Sequence, residues 1–244
     1  LRCELPHHTT LPLFEKLVGR EPVSLVSLMD HSPGQRQFAN IEKYREYYQG
    51  KYSLSDEEMA RYEEEQLALA AQWSQPNRLS IAALCRDRNI ALASHDDATH
   101  DHVLESHQLG SVIAEFPTTF EAAEASRKHG MNVLMGAPNI VRGGSHSGNV
   151  AASQLASLGL LDILSSDYYP ASLLDAAFRV ADDEHNPFTL PQAIRLVTKN
   201  PATALNLHDR GEIAEGKRAD LVLAHRKGEH IHIDHVWRQG KRVF

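Results

Sequence analysis

Residues 90–102 read IALASHDDATHDH. The opening apolar run, Ile90 to Ala93, is too short for an ordinary helix and suits a buried strand. It passes directly into three histidines and three aspartates within residues 95–102. A parallel β/α unit presents this kind of junction, because the strand is core and its C-terminal end is the rim that carries chemistry. Two readings of His95 stand side by side. It is a metal ligand, since imidazole nitrogen with carboxylate oxygen suits Zn, Mn or Fe, or it is a hydrogen-bonded structural histidine. Asp97 or Thr99 is the expected cap of the helix that follows, on which His100, His102 and His107 fall.

Working outward, the same junction recurs. Short apolar runs at 1–5, 23–29, 90–94, 111–116, 132–136 and 162–166 alternate with helical patterns such as 120–128 and 150–158. That alternation argues for parallel βα units. The runs end in Glu4, Asp30 and His31, His95 and Asp96, Glu115, and Asp167. If the strands share one rim, these side chains converge. Glu4 alternates with Cys3 and Leu5, and a carboxylate inside a barrel is tolerated mainly when paired or metal-bound. Asp167 is either a proton acceptor or the cap of the next helix.

Residues 41–77 interrupt the alternation with YREYYQGKY and then SDEEMARYEEEQLALAAQW. Ser55 and Glu58 form a capping box that opens a helix. Its run of glutamates reads as a solvated face, and the segment as a lid or wall. Helices are expected at 171–180 and 190–197. The end differs: Ile231 and Ile233 alternate, Val236, Trp237 and Val243 follow, and Gly216 and Gly240 mark turns, which suits antiparallel strands. The expected division is therefore a barrel-like body at 1–210 and a small β appendage at 211–244.

Composition narrows the function classes. The chain has 244 residues and a formal net charge of −7, which argues against a nucleic-acid surface. Its two cysteines, Cys3 and Cys85, offer neither a disulfide framework nor a metal knuckle, so a reducing cytoplasm is expected. No apolar run approaches the ~18 residues of a membrane-spanning helix. The opening LRCELPHH lacks a Met and starts in a strand-like run, as expected of a piece of a longer protein.

A different device occupies residues 139–153, NIVRGGSHSGNVAAS. Arg142 precedes Gly143, Gly144, Ser145, His146 and Ser147, with a helical pattern behind. Backbone N–H groups at a helix start cradle anions, and arginine adds a forked charge. The other reading is a plain glycine-rich loop. If the loop is functional, the substrate bears phosphate.

Taken together, the tail segments TKNPATALNL, GEIAEGKRADLVL and VWRQGKRVF resemble the amidohydrolase superfamily of metal-dependent hydrolases. LRCELPHHTTLP, LMDHSPGQRQF, ASHDDATH, GAPNIVRGGSHSGN and LDILSSDYYPASLL resemble its branch in phosphonate breakdown. The resemblance implies an α/β fold, a TIM-like (β/α)8 barrel with strands three to eight present and part of a small β-sandwich. It implies a divalent-metal hydrolase in which activated water releases pyrophosphate from a ribose 1-methylphosphonate 5-triphosphate.

Counted back from Asp167 on strand eight, the superfamily pattern places metal ligands at Glu4 on strand three and His95 on strand five. It makes Asp167 the catalytic carboxylate. Glu115 stands where the usual strand-six histidine would be, and His31 ends strand four; both are candidate ligands. The strand-one His pair has no counterpart, so the chain corresponds to a C-terminal part, expected to be nearly inactive alone. The implied partners are a small phosphorylated ribose, with neither nucleic acid nor membrane, and either a second copy or other phosphonate-pathway proteins. The rival functions are hydrolysis at a C–N bond, as in a deacetylase or deaminase, and a non-catalytic assembly subunit.

Overall fold

The computed structural model describes residues 1–38, 40–144, 148–228 and 230–244. They form two compact units, Leu1–Met131 and Asn132–Phe244.

In the first unit, strands β1 (Arg2–Glu4), β2 (Leu25–Met29), β3 (Ala91–His95) and β4 (Ile113–Glu115) pair in chain order, all parallel. Helices α1 (Thr10–Val18), α2 (Ile41–Tyr52), α3 (Asp56–Asp87), α4 (His100–Gln108) and α5 (Phe120–Lys128) complete it. Side chains alternate across a strand, and here the alternation separates core from chemistry. Cys3, Val26, Leu28 and Leu92 pack with Leu5, Phe14, Ile81, Ala82 and Cys85 in one buried cluster. Each large apolar side chain buried there contributes ~1.5–3 kcal/mol. The alternate positions Arg2, Glu4, Ser27, His95 and Glu115 fall on the other face, and the side-chain contacts described below join them.

The segment at 41–77 is less separate than expected. α3 does not end at 77 but runs 32 residues to Asp87. Its second half buries Asn77, Arg78, Ile81, Ala82 and Cys85, so it serves as the crossover helix between β2 and β3. The capping box is present, with Ser55 N–H donating to Glu58 Oε2 at 2.9 Å and Glu58 N–H donating to Ser55 Oγ at 3.4 Å. Glu57, Glu64 and Glu65 are exposed as a solvated face should be, while Glu63 is buried against Arg45 at 2.6 Å. Phe38, Tyr44 and Met59 form a second cluster, joined by Tyr48, Leu54 and Tyr62.

In the second unit, β5 (Asn132–Gly136) and β6 (Ile163–Ser165) are parallel. Helices α6 (Ala137–Arg142), α7 (Ala152–Ser157), α8 (Ser172–Asp182), α9 (Leu190–Arg195) and α10 (Lys199–Ala204) accompany them. The chain ends in an antiparallel sheet of β7 (Leu221–Lys227), β8 (His230–Arg238) and β9 (Lys241–Arg242). The β8–β9 turn places Gly240 at φ +76°, a conformation glycine adopts without penalty. Among the described residues, no helix is long and apolar enough to cross a membrane.

Candidate metal centre

His31 and His95 end neighbouring segments of one sheet, and register brings them together. Their rings lie 5.5 Å apart, edge to face. Asp96, the residue after β3, turns back with φ +56° so that Oδ2 reaches both. It lies 3.6 Å from His31 Nε2 and 3.3 Å from His95 Nε2. Ligand atoms from His31, His95 and Asp96 all lie within 4.8 Å of one another.

The other ring nitrogens are held by carboxylates. Glu4 Oε2 is 2.8 Å from His31 Nδ1, and Glu4 Oε1 accepts the His31 backbone N–H at 3.0 Å. Glu115 Oε2 is 2.7 Å from His95 Nδ1 and also accepts the Ser27 hydroxyl. A carboxylate only accepts, so each Nδ1 donates to its carboxylate, and each Nε2, once unprotonated, would present a lone pair to the same point. This carboxylate–histidine arrangement is what orients a ligating imidazole. Glu4 and Glu115, expected as ligands, here contact the Nδ1 atoms of the two histidines. Asp96, named from the sequence only as a strand-end residue, joins His31 and His95 in the group that could hold a metal ion. The donor set, two imidazole nitrogens and a carboxylate oxygen, fits a divalent transition metal.

The charges are poised for a cation. Burial disfavours a protonated His31, but the Asp96 and Glu4 carboxylates overcome it and raise the ring to about 9. Burial likewise raises Glu4, yet hydrogen bonds and charge from His31 bring it below the usual range. Glu115 is lowered in the same way by His95 and Ser27 against its own burial. The Arg2 guanidinium already lies 3.1 Å from His95 Nε2.

Asp97 does not cap α4; Thr99 does, its hydroxyl accepting the His102 N–H at 3.3 Å. Asp97 is instead buried and ion-paired with Arg36, a residue the sequence reading did not single out.

The remaining expected residues belong to the second unit. Asp167 follows β6 in the left-handed region at φ +46°. It is not the cap of α8, which begins at Ser172 after Ala171. It lies against Gly136 at the end of β5: a Cβ there would meet Asp167 Oδ2 at 3.1 Å.

The anion cradle expected from Gly143 and Gly144 takes a different form. Gly143, at φ +81°, terminates α6, and the N–H groups of Gly143 and Gly144 donate to Ile140 and Asn139 carbonyls at 3.2 and 3.0 Å. They sit at a helix C-terminus, whose dipole repels anions, and their N–H groups are already used. The pattern Arg-Gly-Gly fits a helix stop as well as a helix start, which is why the sequence did not separate the two. Arg142 donates to the hydroxyl of Tyr168, the residue after Asp167, at 3.1 Å. Ser145, His146 and Ser147 lie outside the described residues.

Against known proteins, residues 88–244 match the Amidohydrolase family. The chain is 89% identical over 244 residues to the alpha-D-ribose 1-methylphosphonate 5-triphosphate diphosphatase of Escherichia coli K12, and spans 65% of that protein's length. An adenine deaminase of Gluconobacter oxydans is 28% identical over 174 residues, covering 67% of this chain and 30% of the deaminase. The crystal structure of an uncharacterized protein aligns with a TM-score of 0.51 at 18% identity, over 68% of this chain and 48% of its own, a likeness of fold alone.

Proposed function

Because the chain belongs to the amidohydrolase family, we propose that it is part of a metal-dependent diphosphatase acting on α-D-ribose 1-methylphosphonate 5-triphosphate. The observation that carries this is identity of 89% across the whole chain to an enzyme of that name. The reaction adds water across one phosphoanhydride bond and yields the ribose 5-phosphate and pyrophosphate. In this reading the parallel strands form six of the eight strands of a TIM-like barrel, and the antiparallel sheet is part of a β-sandwich.

His31, His95 and Asp96 hold a divalent metal, and Glu4 and Glu115 fix the two rings through Nδ1. When bound, the cation supplies Lewis acidity toward water or a phosphoryl oxygen. Asp167 accepts the proton of the attacking water. Arg142 balances charge on the phosphate chain. Phe38, whose ring lies 6.1 Å from that of His31, walls the centre with the tyrosines of α2 and α3. The same reading expects a cytoplasmic enzyme with a small phosphorylated ribose as substrate. It expects either self-association or contact with other phosphonate-pathway proteins.

The test supplies the triphosphate to the full-length, metal-loaded protein and resolves pyrophosphate from orthophosphate. Stoichiometric pyrophosphate is expected from the full-length protein, and almost none from residues 1–244 alone. Ammonia released from adenine, without pyrophosphate from the triphosphate, would instead favour chemistry at a C–N bond, as the name of the deaminase relative suggests.

A further inference from the structure

A second set of charges lies beside the three candidate ligands. Asp30, Arg36, Arg78 and Asp97 are each no more than 5% exposed. Glu105, on α4, is half-buried. Together they form one continuous chain. Asp30 meets Arg78 at 3.6 Å, Arg78 meets Glu105 at 3.4 Å, Glu105 meets Arg36 at 3.0 Å, and Arg36 pairs directly with Asp97. None of the five belongs to the ligand set. Yet Asp30 directly precedes His31, and Asp97 directly follows Asp96.

Arg36 holds its loop against local preference. Its φ is +42°, a left-handed conformation that long side chains rarely adopt. The turn around it is tight, with Gly34 N–H donating to the Phe38 carbonyl at 3.0 Å and Phe38 N–H donating to the Gln35 carbonyl at 2.7 Å. Such a conformation persists only where its surroundings over-determine it. Here the surroundings are the two ion pairs of the guanidinium. Asp97 is anchored in turn: its carboxylate accepts the Ser106 hydroxyl at 3.4 Å, and its carbonyl accepts the Thr118 N–H at 2.9 Å.

Buried ion pairs are a weak source of stability, because desolvation cancels most of the attraction. What a planar guanidinium does supply is fixed distance and angle between the groups it joins. We propose that the chain Asp30–Arg78–Glu105–Arg36–Asp97 is a strut that holds His31 and Asp96 at metal-binding spacing from His95, with Arg36 as the positioning residue. This rests on the reading of His31, His95 and Asp96 as a metal site.

The experiment titrates Co²⁺ into chelator-stripped full-length protein and follows visible absorption, affinity and thermal unfolding. Wild type is expected to show cobalt ligand-field bands, and His95→Asn to lose them. Arg36→Met is expected to weaken Co²⁺ binding by about 10–100-fold, as loss of an outer partner does, and to shift the bands. Arg36→Lys, which keeps the charge without the fork, falls between. Glu105→Gln removes a charge at the more exposed end of the strut and decides the matter if Arg36→Met does not fold; weaker binding with shifted bands is expected. Wild-type affinity and bands in folded Arg36→Met, or in Glu105→Gln, with only a lower melting temperature, would overturn the strut while leaving the metal site intact. Unchanged bands in His95→Asn would overturn the metal-site reading, and the strut with it.

Discussion

Gly136, the last residue of β5, leaves the space that the Asp167 carboxylate occupies after β6. A Cβ built on it would lie 3.1 Å from Oδ2 and 3.5 Å from the Asp167 Cβ. The Gly136 backbone, at φ −74° and ψ 129°, is one that any residue adopts. The requirement for glycine is therefore steric.

Gly136→Ala should thus displace Asp167 without straining the β5 backbone. Since misplacement of a reacting group on the ångström scale costs up to ~100-fold in rate, kcat is expected to fall about tenfold in the full-length enzyme, with little change in melting temperature. Steady-state kinetics beside a thermal melt checks this, and an alanine variant with wild-type kcat would show that Asp167 need not stand where it does.

Asp167→Asn keeps the shape and the left-handed backbone, which asparagine tolerates, but cannot accept a proton. A loss of about 10²–10⁴ in kcat is expected for a general base, with stability nearly unchanged. Because Asp167 lies outside the cap of α8, a large stability loss with retained kcat would remove it from the chemistry.

Metal binding should release protons. In the metal-free centre His31 keeps its proton up to about pH 9, and a ligating Nε2 must be unprotonated. The sign follows: metal binding displaces that proton, and raising pH from 6 to 8 lowers the concentration of competing protons, so affinity rises, by about tenfold per pH unit for each proton released. Calorimetric titration of Zn²⁺ in two buffers of different ionisation enthalpy counts those protons. A pH-independent affinity would contradict His31 as a ligand.

Arg142→Ala should act mainly on substrate affinity. Loss of a charge-assisted contact to phosphate corresponds to about 1–3 kcal/mol in KM, with kcat little affected. Tyr168→Phe, which removes only the hydroxyl that Arg142 engages at 3.1 Å, serves as the comparison and should have a smaller effect. Equal KM values in Arg142→Ala and wild type would place the arginine outside the phosphate subsite.

Much of the scaffold was legible along the chain. The strand expected at 132–136 and the helix expected at 120–128 appear with those bounds. The strands ending in Glu4, His95 and Glu115 are parallel neighbours or near neighbours. These features are local: apolar period, turn residues and capping boxes act within a few positions, so one sequence suffices to read them. The length of α3 was not legible, because its acidic first half and its buried second half look like different elements until a sheet is packed against the latter. Nor was the helix end at Gly143, since the same residues suit either terminus.

The pairing of side chains at the candidate metal centre belongs to the tertiary structure alone. The sequence determined that Glu4, His31, His95, Asp96 and Glu115 stand at strand ends. It did not determine which ring nitrogen meets which carboxylate, nor that Asp97 answers Arg36, 61 residues earlier. Those pairings come from the stagger of parallel strands and from the need of each buried charge for a partner once water is excluded. Such forces act between residues far apart in the chain, and they take effect only when the sheet has brought those residues together.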